Sequence, residues 1–560
     1  MKKSLNQFAI LLLLVFAFGI FAEKVRFRID LTSDKRYTLS EAGRQTMKDL
    51  DDVVFVLLYL DGEMPVQMKK FRTSVGEKLD ELGRYAGTNL QYEFRNPSEG
   101  GDENRKAVYD ELISMGVRPL TVHENSAEGG TSQRMLFPGA KISYKGKQMV
   151  VNLIQQNPLF SAEENLNFAL QNLEYEIVNT IQKLSGNKEK RIAFIEGHGE
   201  LDDSEAGDII KELSEYYTVE RLSIDGEANV LDDYDAVIIA KPLTRWPEAD
   251  KFVLDQYIMQ GGKTAWFIDA VQVYEDSLTR GETTVGMLCE HNLNDQLFDY
   301  GVRVNPNVIR DLQCARRLIN IAPAGMSADL RLVPWTYFPL LWPPPDNAIT
   351  KGLNLVYAQY PGVIDTVGRN TEIKKKFLLY SSDKSQTINA PMLINLSQIK
   401  DKISPERFNL SYLPVAVLLE GIFDSPFHNR MVGELLGAVE FKSKSKPTKM
   451  VIVSDGDVIR NEVSRRSTRT SVYPLGYDRN TNMTYGNKDF VKNIINYLLD
   501  ESGLMEIRSR NFQMRLIDKV KVAQHKTQII LVNTVLPPTL IIVLGLIFIW
   551  FRRRKFIRLF

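Results

Sequence analysis

Arg191-Ile192-Ala193-Phe194-Ile195-Glu196 runs without a break into Gly197-His198-Gly199-Glu200. A short apolar run closed by glycines reads as a buried strand. Helical spacing follows from about Asp203 to Tyr216, so the strand opens a strand–helix alternation. Thr218 to Ile224 reads as a second strand, and Tyr234 to Ala240 as a third, ending at Lys241-Pro242. Pro247 to Met259 is helical and stopped by Gly261-Gly262, and Lys263 to Asp269 is the next strand. Strands separated by helices of about 10–15 residues predict a Rossmann-like, doubly wound parallel sheet.

Downstream, from 271 to 414, periodicity is lost, and the segment is expected to be an irregular insertion. It carries the cluster Pro334-Trp335-Thr336-Tyr337-Phe338-Pro339-Leu340-Leu341-Trp342-Pro343-Pro344-Pro345. Regularity returns with Val415 to Leu419, with Lys449 to Val453 feeding Ser454-Asp455-Gly456-Asp457, and with a helix Lys488 to Leu499. These late strands complete the sheet, which places the second domain at 188–503.

Upstream, Val53 to Leu60 reads as a buried strand, Lys69 to Tyr85 as a helix, Leu90 to Phe94 as a strand and Glu103 to Met115 as a helix. This is another α/β layer, assigned to 23–187. Its order is thioredoxin-like, but without a CxxC it has no redox pair. Ser161-Ala162-Glu163-Glu164 is a capping box opening a long amphipathic helix to about Leu184. Ser40 is an N-cap with Gly43 in the third helical position, so no full box forms there.

Ile529 to Phe551 holds sixteen Leu, Ile, Val or Phe among 23 residues and no charge. On the insertion scale such a segment gains roughly 5–10 kcal/mol, enough to outweigh Asn533 and the Pro537-Pro538 pair. It reads as a transmembrane helix, preceded by a helical stalk over 504–528 and followed by a basic tail over 552–560. Met1-Lys2-Lys3 and the apolar run Phe8 to Ala22 fit an N-terminal signal anchor over 1–22 or a cleaved signal peptide. Two spans place both termini in the cytoplasm and the middle outside. Flanking charges argue weakly, because Lys24, Arg26, Arg28, Lys35 and Arg36 follow the first span.

Lys+Arg and Asp+Glu each number 70, so formal net charge is zero and the chain lacks an electrostatic footprint for nucleic acid. Cys289 and Cys314 match no metal or disulfide pattern, and two thiols or one disulfide both remain open. Glu196, Gly197, His198, Gly199 and Glu200 stand where a doubly wound sheet binds ligands, at a strand's carboxyl end. They could form a ligand or acid/base site with His198 between two carboxylates, or a tight turn with solvated charges. No cofactor is expected. The third glycine of a dinucleotide fingerprint is replaced by Asp202, Gly261-Gly262-Lys263-Thr264 lacks the first Walker glycine, and no G-x-S-x-G elbow occurs. Asp455-Gly456-Asp457 could offer two oxygens to a cation, but the spacing fits a turn better, and no metal site is expected. Trp335, Tyr337, Phe338 and Trp342 could form a platform for a glycan or a partner, or cover the sheet as a buried loop.

Several motifs in this order resemble the GldG family of gliding-motility-associated ABC transporter auxiliary proteins. They are Arg28-Ile29-Asp30-Leu31-Thr32-Ser33-Asp34-Lys35-Arg36-Tyr37, Phe137-Pro138-Gly139-Ala140, Gly197-His198-Gly199-Glu200, Tyr300-Gly301-Val302-Arg303, and Ser454-Asp455-Gly456-Asp457 through Arg460-Asn461-Glu462. Leu475-Gly476-Tyr477-Asp478 and Gly486-Asn487-Lys488-Asp489-Phe490 extend the likeness. The resemblance implies a periplasmic Rossmann-like domain anchored in the inner membrane, acting with an ATPase subunit and a permease as a substrate-binding-type component. It brings no catalytic residue. The expected function is a non-enzymatic auxiliary subunit of an ABC transporter in gliding. The second reading is a membrane-tethered enzyme on glycan or cell-wall material, with His198 and Glu200 as acid and base. The expected partner contact is in the second span, at Asn533, Pro537 and Pro538, whose backbone and amide groups lipid cannot satisfy.

Overall fold

The computed structural model describes residues 39–557 apart from 126–130, 155–156, 158–159, 187–189, 282, 321–328, 369–370, 397–403, 429, 431–440, 467–468 and 510–525. The anchor expected over 1–22, the motif at 28–37 and most of the stalk lie outside the described residues. The chain divides at Asn511/Phe512 into two compact units.

Helix α1 (Glu41–Lys48) starts at Ser40, whose hydroxyl accepts from Gly43 N at 2.8 Å. Strand β1 (Val54–Leu58) leads into α2 (Val66–Ala86), which buries Phe71, Val75, Leu79 and Leu82 at helical spacing. Then come β2 (Leu90–Phe94), α3 (Asp102–Ser114), β3 (Gly139–Tyr144) and β4 (Lys147–Asn152). The sheet runs β2-β1-β3-β4, parallel between β1 and β2 and antiparallel beyond. Across it lies α4 (Ala162–Ser185), opened by the capping box: Ser161 Oγ accepts from Glu164 N at 3.2 Å and Glu164 Oε2 from Ser161 N at 2.7 Å. Such a cap is worth about 1 kcal/mol. Leu173, Ile177, Val178 and Ile181 of α4 join Val56, Phe71 and Ile142 in this lobe's core.

The second lobe holds a seven-stranded sheet. In chain order come β5 (Arg191–Glu196), α5 (Asp203–Ser214), β6 (Thr218–Ser223), β7 (Ala236–Ala240), α6 (Glu248–Met259) and β8 (Lys263–Phe267). An insertion contains β9 (Cys314–Asn320) and β10 (Leu330–Leu341), followed by β11 (Ile373–Tyr380), β12 (Pro414–Gly421), β13 (Thr448–Val453) and α7 (Asn487–Leu499). The sheet order is β11-β12-β13-β8-β7-β5-β6. From β13 to β6 neighbouring strands are parallel; β12 and β11 add an antiparallel edge. Both faces are buried, which is why these strands read as unbroken apolar runs. Ala193, Ile195, Val237, Ile239 and Trp266 point to the face under α6, whereas Ile192, Phe194, Ile238 and Phe267 point to the face under α5 and α7.

Residues 271–414 are not irregular: they hold eleven strands among the described residues, including β9, β10 and β11. β10 was hard to recognise because it contains Pro334 and Pro339, and proline has no N–H for the ladder. The pairing absorbs them by a register shift, with Cys314 opposite Pro339 and Arg316 opposite Pro334. Trp335 to Phe338 therefore bulge out opposite Ala315.

In the second unit α8 (Lys526–Ile557) is one continuous helix containing Pro537 and Pro538. Ile530–Phe551 within it has 22 residues, a mean hydropathy of 2.3 and no buried share. At 1.5 Å per residue that stretch is about 33 Å long, matching the ~30 Å hydrocarbon core of a bilayer.

Candidate functional site

The carboxyl ends of the parallel strands gather a cluster of buried charge. Lys241 follows β7 directly, Asp269 lies two residues beyond β8, and Asp455 and Asp457 follow β13. Lys241 Nζ is 2.9 Å from Asp269 and 2.5 Å from Asp457. Arg460 joins Asp457 at 3.1 Å to Glu205 at 2.8 Å. Asp269, Asp455 and Asp457 bring oxygens within 4.8 Å of one another, a spacing that could hold a metal ion. The Lys241 ammonium already stands among them. Burial raises the pKa of Asp455 far above the carboxylate range, reinforced by the charges of Asp457 and Asp269. For Asp457 burial works upward too, but Lys241 and Arg460 outweigh it and hold the carboxyl low. Lys241 and Arg460 thus set two cations against the carboxylates of the cluster.

The backbone enforces this closeness. Lys241 has φ +58, and a Cβ on Gly456 would lie 2.5 Å from Lys241 Cγ, so only glycine fits there. Asp455 Oδ1 accepts from Asp457 N at 2.7 Å and caps a 3₁₀ turn over Gly456–Val458. Asp455-Gly456-Asp457 is the turn expected from its spacing, with a buried ion cluster beneath it. The sequence signal for the rest was a lone charge ending each apolar strand.

One strand over, the Gly-His-Gly-Glu turn follows β5. Gly197 and Gly199 have φ +112 and +77. His198 lies flat on Trp246, ring centroids 4.1 Å apart. Its Nδ1 is 3.2 Å from Glu200 Oε1 and its Nε2 2.8 Å from Asp250 Oδ2. Glu200 Oε2 also accepts from His198 N at 2.6 Å, and Asp250 Oδ1 from Gly226 N at 2.6 Å. Glu196 points elsewhere, to Arg221 at 2.7 Å. His198 therefore does lie between two carboxylates, but Asp250 of α6 takes the place expected for Glu196. Both ring nitrogens are engaged, and the residue is buried. The turn ties the ends of β5, β6 and β7 together.

The aromatic cluster divides. Trp335, Tyr337 and Phe338 enter the core beneath α6. Trp342 is 41% exposed and, with Tyr380 and the 56% exposed Tyr412, borders an open groove of about 970 Å³. Cys289 and Cys314 are free thiols. Burial pushes both up to about 12.

The chain is a mixed α/β protein whose parallel strand ends carry buried ion clusters and which has a separate apolar helix. The family profile described as an ABC-type uncharacterized transport system matches residues 189–494, more than half of the chain, and the chain belongs to that family of transport auxiliary proteins. Residues 33–143 match a domain of unknown function. An uncharacterized protein of Borreliella burgdorferi is 20% identical over 551 residues, covering 93% of this chain and 92% of its own. Among solved structures, the N-terminal domain of mmIFT52 is 11% identical with a TM-score of 0.32, covering 56% of this chain and 99% of that one. A ThuA-like protein from Parabacteroides merdae is 9% identical with a TM-score of 0.26, covering 55% and 89%.

Proposed function

We propose that the chain is a membrane-anchored, non-enzymatic, substrate-binding-type auxiliary subunit of an ABC transporter of the gliding-motility kind. It works beside an ATPase subunit and a permease, with its Rossmann-like lobe in the periplasm and α8 in the inner membrane. The observation that carries this is α8 itself: a 22-residue stretch of mean hydropathy 2.3 with no buried share, in a chain of a transport auxiliary family. A helix apolar all round needs lipid or protein around it. Pro537 and Pro538 each remove a backbone N–H from the helix, so that half of the span suits a neighbouring helix. The external lobe also offers apolar surface, with Val285 opposite Leu393 on paired strands and Leu318 opposite Leu332 on another pair, all exposed.

The test is affinity purification of the full chain from native membranes, together with a periplasm-specific reporter inserted at Glu128-Gly129-Gly130. Recovery of an ATPase and a permease, with the reporter active outside, is the expected result. A cytoplasmic reporter or a chain purified alone would refute it.

A further inference from the structure

Between the two lobes lies a cavity of about 700 Å³, well within the range of small-ligand sites. Its walls are α4, the end of α5, α7 and the first lobe's β3–β4 edge, and they are strongly polar. The two charges on its α4 wall make no direct ion pair with the described residues. Glu176 on α4 makes no side-chain hydrogen bond or ion pair with the described residues, and burial raises its pKa. Lys183, seven residues later on the same helix face, has its Nζ 3.6 Å above the Tyr216 ring and no carboxylate partner among the described residues; burial pushes it down to about 8. Nearby Lys492, in contrast, is held by Glu212 and Asp489, each at 3.2 Å.

A desolvated charge with no direct ion-pair partner is costly, and one of each sign on one wall suits a ligand carrying both signs. Seven residues of helix separate Glu176 and Lys183 by about 10 Å along the axis. An extended chain of three residues spans about the same distance. The side-chain amides of Asn179 and Gln148 also line the cavity and make no hydrogen bond with the described residues, which suits the N–H and C=O groups of a peptide backbone. Arg508, itself buried, lines the floor with its Nε unpartnered.

We propose that this cleft binds a short zwitterionic peptide of about three residues, its ammonium group at Glu176 and its carboxylate at Lys183. The proposal rests on the substrate-binding reading above and names the ligand class for it.

The test uses the full chain in detergent and isothermal titration with tri-alanine, N-acetyl-tri-alanine and tri-alanine amide. Wild type should bind tri-alanine saturably and each blocked peptide roughly tenfold or more weakly, the loss of one charge-assisted contact. Glu176→Gln should abolish discrimination against the acetylated peptide alone, and Lys183→Met discrimination against the amide alone. Thermal unfolding of both variants checks that they fold, and co-purification with the transporter subunits is read in parallel. Absence of saturable tri-alanine binding by wild type, or discrimination unchanged in both variants, overturns the peptide site. Unchanged co-purification in that case leaves the auxiliary-subunit reading standing, whereas loss of co-purification in wild type defeats that reading instead.

Discussion

His198 shows how far a residue's behaviour depends on where the fold puts it. Burial alone would lower its pKa, but the hydrogen bonds and charges of Glu200 and Asp250 outweigh burial and raise it. A histidine whose folded pKa lies above its unfolded one contributes stability that is complete below the unfolded pKa and lost as pH rises through the folded one. His198→Gln is therefore expected to destabilise the protein by about 2–3 kcal/mol below about pH 6.5. The gap to wild type should narrow at alkaline pH to what the lost stacking on Trp246 accounts for, as read from thermal unfolding across the pH range. A gap that widens with pH would show that the histidine is held neutral. The sequence displayed His198 and Glu200 together, two residues apart. It could not display Asp250, which is 52 residues away and arrives only because α6 packs over the sheet. Lys241 and Asp269 were hidden for the same reason: each looks like a surface charge after a strand until parallel pairing lays the strand ends side by side.

Among the elements, helices and strands with simple periodicity were legible almost to the residue. Leu90–Phe94 and Arg191–Glu196 coincide with their expected bounds, and both expected caps, at Ser40 and Ser161, are present. β10 was not legible, because two prolines and a run of aromatics carry no period of two. Its bulge gives neighbouring aromatics opposite fates. Trp335, buried against Tyr337 and Phe338, is expected to cost about 3–5 kcal/mol when replaced by alanine. Trp342→Ala, on the groove rim, should stay within about 1 kcal/mol. Chemical denaturation of both variants decides, and equal losses would mean that the groove is closed in solution. For α8 the sequence predicts a helical span over Ile529 to Phe551, and the helix, Lys526–Ile557, covers it and runs through both prolines, with Thr539 Oγ1 donating to Val535 O at 2.7 Å.

Over the whole molecule, stability comes from two α/β cores and from ion clusters that carry their own cations. Asp269 and Asp457 are met by Lys241, and Asp457 again by Arg460. A chelator is accordingly expected to leave the thermal transition of the full chain where it was, since the Lys241 ammonium already pairs with Asp269 and Asp457. A downward shift on adding chelator would mean that a divalent ion displaces Lys241 in solution. The function assigned to the molecule turns on its second unit. Replacing Ile529 to Phe551 by a plain leucine-rich span keeps length and hydrophobicity but removes Asn533, Pro537 and Pro538. Affinity purification of that variant from membranes, beside wild type, measures the claim most directly. The expected result is a protein that still fractionates with the membrane and no longer brings down the ATPase and permease; association undiminished by the swap would contradict the account and move the contact to the external lobes.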